Sequence, residues 1–147
     1  MFGNILRQML APAPDRLPEP DADLALAALL VRIARADDSY GADEAARIDR
    51  VLSRRRGMAL TEATALRREA EAMEAEAPDT VRFTRALKDA VDYDYRTGVI
   101  EALWEVALAD GARDAEEDAI IRLAANLLGV TDRDSALARQ RVEARGA

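Results

Sequence analysis

This chain contains neither histidine nor cysteine. Without cysteine there are no disulfides, thiol nucleophiles or thiolate metal sites. Without histidine, imidazole bases, Ser-His-Asp triads and the usual zinc sites are excluded. Carboxylate, hydroxyl, lysine, arginine and backbone chemistry remain, so any metal held here would be a hard, oxygen-bound ion such as Ca²⁺ or Mg²⁺. Aromatic residues make up only 4% of the sequence, which points to helices packed through small and aliphatic side chains. Basic charge is in deficit: 21 Lys and Arg face 28 Asp and Glu, for a net charge of −7. A general nucleic-acid surface is not expected from that balance. No apolar run approaches the roughly 20 residues that cross a bilayer. The first ten residues are too short and interrupted for a secretory leader, so the expected location is cytoplasmic.

What is present is a 147-residue chain with half its residues hydrophobic, enough for one domain with a real core. Residues 2–10 suit a short amphipathic helix with Phe2, Ile5, Leu6, Met9 and Leu10 on one side. That stripe could dock on its own chain, on a sister chain in a homo-oligomer, or on a membrane surface. Pro12, Pro14, Pro18 and Pro20 follow and predict an extended linker. The domain expected after them spans residues 21–147, leaving 1–20 as amphipathic segment and linker.

Every later segment reads as helix. Asp21 or Asp23 caps the first, with Leu26, Leu29, Leu30 and Ile33 on its buried side. A second runs from after Gly41 to about Arg56, with Gly57 as its stop, and a third opens at Thr61. Asp79 or Thr80 caps a fourth carrying Val81, Phe83, Leu87 and Val91. The fifth, after Asp92-Tyr93-Asp94, is the most apolar and holds Val99, Ile100, Leu103 and Trp104. A sixth covers about Ala115 to Leu128, with Gly129 at its end. Thr131 caps the seventh, whose charged end is expected to fray. The fold class is all-α: a single-domain compact bundle of about seven helices.

One phrase occurs twice. Ala36-Asp37-Asp38-Ser39-Tyr40-Gly41-Ala42-Asp43-Glu44 precedes Ile48, and Ala109-Asp110-Gly111-Ala112-Arg113-Asp114-Ala115-Glu116-Glu117 precedes Ile121. The copies define two related helix–acidic loop–helix units. They are not EF-hands, because the sixth and twelfth loop positions are Ala42 and Ile48, then Ala115 and Ile121, where Gly and Glu are required. Two readings stay open. Asp114 and Glu117, and Glu44 three residues after Gly41, suit helix N-termini and capping boxes. Asp37, Asp38 and Asp110 lie at the ends of the preceding helices, against the dipole, and call for a compensating partner or cation. The candidate metal ligands are therefore Asp37, Asp38, Glu44, Asp110, Asp114 and Glu117.

Other polar groups suggest structure. Arg54-Arg55-Arg56 is expected on a solvated helix face. Asp92-Tyr93-Asp94-Tyr95-Arg96 suits an arginine–carboxylate clamp at a helix junction. Glu101 and Glu105 could pair as in di-iron bundles, but those need a Glu-x-x-His partner and no histidine exists.

Taken together, Ala36-Asp37-Asp38…Glu44…Ile48, Phe83-Thr84-Arg85, Tyr93…Arg96, Glu101-Ala102-Leu103-Trp104-Glu105-Val106-Ala107, Ala109-Asp110-Gly111…Glu117 and Leu127-Leu128-Gly129-Val130 resemble the TerB-like (tellurite-resistance protein B-like) family. The resemblance extends over about Asp23 to Arg141. It departs at Asp38, where the family usually has Gly. It implies an all-helical bacterial domain linked to tellurite or general stress responses, without catalytic activity. Asp37, Glu44, Asp110 and Glu117 are the positions it marks for metal binding or interaction. The expectation is a non-enzymatic interaction domain with unidentified protein partners. The alternatives are a Ca²⁺ or Mg²⁺ sensor and a peripheral membrane adaptor.

Overall fold

The computed structural model describes residues 19–36, 40–76, 80–109 and 115–146. Among them are seven helices and no strand: α1 Glu19–Arg35, α2 Ala42–Arg56, α3 Leu60–Glu76, α4 Val81–Ala90, α5 Tyr93–Ala107, α6 Ala115–Leu128 and α7 Asp132–Gly146. No described helix is long and apolar enough to cross a membrane. The amphipathic stripe of residues 2–10 lies outside the described residues.

Two expectations about α1 are corrected. The helix begins at Glu19, before the predicted caps, and takes Pro20 into its first turn. A first-turn amide has no intrahelical acceptor, so a proline there forfeits nothing. The Asp23 carboxylate instead accepts from Arg56 Nε at 2.5 Å. Burial also goes beyond one side: Ala25, Leu26, Ala27, Ala28, Leu29, Leu30, Val31, Ile33 and Ala34 are all buried. A helix apolar all round belongs at the centre, and α1 packs against α2, α3, α4, α5 and α6. Each fully buried Leu or Ile contributes about 1.5–3 kcal/mol of transfer free energy. Ala63 and Ala70 of α3 are fully buried, and their small side chains let α3 lie close along α1.

The other helix ends follow local chemistry. Asp92 caps α5 by accepting from the Tyr95 amide at 2.9 Å. Thr131 Oγ1 accepts from the Asp134 amide at 3.1 Å and starts α7. Thr80 occupies the position before α4 but makes no side-chain cap; its hydroxyl accepts from Arg32 at 3.4 Å instead. Gly57 and Gly129 have φ of +63° and +73°, the left-handed stop that L-residues avoid. The amide after each glycine reaches back to close a Schellman turn: Met58 N to Ser53 O at 3.2 Å, and Val130 N to Ala125 O at 2.8 Å.

The internal repeat is larger than the hairpin read from the sequence. α1 and α2 correspond to α5 and α6 with a shift of 73 residues, and α3 corresponds to α7 with a shift of 72. Buried positions match: Ile48 with Ile121, Val51 with Ala124, Leu52 with Ala125, Ala63 with Ser135, and Ala70 with Val142. Even an i,i+4 ion pair recurs, Arg67–Glu71 in α3 and Arg139–Glu143 in α7. The bundle is two three-helix units, with α4 between them in the chain.

Candidate functional site

Four of the six candidate ligands, Asp37, Asp38, Asp110 and Asp114, lie outside the described residues. Glu44 is in the first turn of α2, where its Oε2 accepts from the Gly41 amide at 3.0 Å. It is thus engaged as the acidic half of a capping box. Glu117, in the first turn of α6, is buried at 6% exposure. Among the described residues there is no group of three or more acidic side chains able to hold a metal ion.

The described carboxylates are gathered instead by arginines. Glu101 and Glu105, one turn apart on α5, both accept from Arg55 of α2, at 2.9 Å for Glu101. Arg54 also binds Glu105, and Arg141 and Arg145 of α7 bind Glu101. Burial pushes the Glu101 carboxyl up, but hydrogen bonds from Arg55, Arg145 and Arg141 outweigh it and hold it at about 2. Such a group is ionised at neutral pH and cannot serve there as an acid. Two expectations change accordingly. The Arg54–Arg56 run is no merely solvated face, since Arg54 and Arg55 clasp α5 and Arg56 clasps Asp23 of α1. The end of the last helix, where fraying was expected, is helical to Gly146, with Arg141 and Arg145 tying it to α5.

A second set joins α1 to α3 and α3 to α2. Glu74 accepts from Arg32 at 3.1 Å and from Arg35 at 2.6 Å. Asp49 of α2 is buried and accepts from Arg67 Nε at 2.6 Å and Thr64 Oγ1 at 2.8 Å. Arg67 also reaches Glu71 at 3.1 Å, and Glu71 accepts the Tyr40 hydroxyl. Burial and the adjacent Glu71 push the Tyr40 phenol up to about 12. Only one sequence signal marked this clasp: Asp49 interrupts the apolar stripe of Ile48, Val51 and Leu52.

At the junction of α5 with α7, Arg96 donates to the carbonyl of Leu128 at 3.0 Å and stacks over Tyr93. The expected clamp therefore grips the C-terminal end of α6, where unpaired carbonyls carry negative charge, rather than a carboxylate. Tyr93 donates to Asp134. Trp104 is core, and its indole donates to Ser135 at 3.2 Å.

Among the described residues, open clefts flank α5. One, of about 550 Å³, is lined by Arg47, Arg50, Arg54, Glu105, Leu108 and Arg145. The other, of about 540 Å³, lies between α6 and α7 over Trp104 and includes Asp118, Arg122, Asp132, Ser135 and Arg139.

An all-α bundle of two repeated units, bound by arginine–carboxylate clasps, is the class these features define. The family model described as "Tellurite resistance protein TerB" matches residues 23–140. The chain belongs to the TerB family. No curated protein matches it, and no solved structure does.

Proposed function

We propose that this chain is a non-catalytic interaction domain of a tellurite-resistance or related stress response, working through protein partners. Family membership over residues 23–140 is the observation that carries this reading. The chemistry of the described residues supports it. Glu101, Glu105, Asp49 and Glu74 are committed to arginines within the bundle, so these four carboxylates hold helices together rather than stand ready as acids or bases. The flanking clefts are open and charged, as suits contact with another macromolecule.

The test is genetic and biochemical together. A strain lacking the gene is challenged with tellurite and complemented with the wild-type gene or with an inactive control. Lost tolerance that the wild type restores is the expected result. Unchanged tolerance would remove the tellurite link, and a turnover abolished by Glu117→Gln would remove the non-catalytic one.

A further inference from the structure

In the first unit, α2 and α3 are locked by Asp49 of α2, bracketed by Arg67 and Thr64 of α3. The internal repeat shows what stands at the same places in the second unit. Position 49 corresponds to Arg122 on α6, Arg67 to Arg139 on α7, and Thr64 to Ala136. The acid and its hydroxyl partner are gone, and a second arginine has taken the acid's place. Among the described residues Arg139 finds its acid on its own helix, in Glu143, and not on α6. The same place holds the open cleft of about 540 Å³, where Arg122, Ala136 and Arg139 share one lining.

The surroundings of these two arginines are informative. Arg139 lies 5.8 Å from the centre of the Trp104 ring, and its Nε pairs with Glu143 at 3.3 Å, whereas Arg67 holds Glu71 through Nη1 and turns its Nε to Asp49. Arg122 is exposed and has no hydrogen bond or ion pair with any described residue. Two acids also line the cleft, Asp118 and Asp132. Each stands in the first turn of its helix, where the helix dipole favours it. Neither forms an ion pair with Arg122.

We infer that the α6–α7 cleft receives a carboxylate from an acidic segment of a protein partner, held by Arg122 and Arg139, so that the partner supplies the acid that Asp49 supplies in the first unit. This rests on the interaction-domain reading and adds the chemistry of the partner. The molecule supplies a partial precedent, since Arg67, the counterpart of Arg139, binds a carboxylate across its helix pair. Arginine is suited to the task because its planar fork binds carboxylates with defined geometry.

Trp104, the chain's single tryptophan, reports on the site through its contact with Arg139. The probes are a capped hexapeptide of alternating Asp and Glu, its Asn and Gln counterpart, and glutarate. Tryptophan fluorescence of the full chain is followed during titration at low salt. The acidic peptide is expected to give a saturable change that the amide peptide does not. Arg122→Gln should weaken it about tenfold or more, and raised salt should weaken it too. Arg122→Asp should give Arg139 an acid across the helix pair, abolish the response and raise the melting temperature by about 2–4 °C. Both substitutions are at an exposed position, so folding is retained. The inference is overturned if neither peptide changes the signal, if both do so equally, or if Arg122→Gln binds like wild type. A response to glutarate without one to the acidic peptide overturns the protein partner in favour of a small carboxylate. Since purified protein is measured, these results are separate from the tellurite phenotype.

Discussion

Asp49 and Glu101 are acids in similar clasps with different consequences. Asp49 is buried at 7% exposure and supports Arg67, itself largely covered. Removing one partner of such a pair strands the other charge. Asp49→Ala is therefore expected to cost about 3 kcal/mol, read as a fall in the urea midpoint. Glu101 is more accessible and its effect depends on pH. Its carboxyl sits at about 2 in the folded chain against an ordinary 4.5, so the folded state binds the proton less readily than the unfolded one. The stability it contributes is complete above about pH 4.5 and is lost as pH falls toward 2. Acid titration of melting temperature should show a shallower decline in Glu101→Gln than in wild type across that window. The wild-type curve should stand higher near neutrality. The sequence singled out Glu101 but not Asp49, and the partners of neither were legible in it. Arg55 is 46 positions from Glu101 and Arg67 is 18 from Asp49, and no local pattern pairs residues at such distances.

Helices were far more legible, because what makes and ends them is local. The apolar spacing of α5, the Thr131 cap of α7, and the glycine stops of α2 and α6 all depend on residues within a turn or two. These stops make a clean comparison. A Cβ at Gly57 would meet nothing within 4 Å, and one at Gly129 only Arg96 Nη1 at 3.8 Å. The penalty for alanine is then conformational. Gly57→Ala and Gly129→Ala should each cost about 1–2 kcal/mol. Gly98 is different: it lies inside α5 with open space around it and no left-handed φ. Gly98→Ala should stabilise by about 0.5–1 kcal/mol. Chemical denaturation of the three variants separates the two cases by sign. Where helix reading failed, as at Pro20, the rule was applied too broadly, because a first-turn amide has no helical acceptor to lose.

Across the whole molecule, α1 is the common support: it packs against α2 and α3 of its own unit and against α5 and α6 of the other, and its Leu29, Leu30 and Ile33 are fully buried. Leu30→Ala should cost about 2–5 kcal/mol, a large part of the 5–15 kcal/mol that a typical domain has. The urea midpoint should fall while the slope stays constant, provided the variant unfolds in one step. The sequence by itself determined the helices, the doubled acidic phrase, the range of available chemistry and the family likeness, because each of these is written in residue types and short spacings. Only the tertiary structure decided that α1 is buried all round, that the repeat takes in a third helix, and that Asp49 closes one unit while Arg122 stands in its place in the other. Those outcomes depend on which distant side chains packing brings together. Spacing along one helix cannot specify them, since it sets which way a residue faces but not what it meets there.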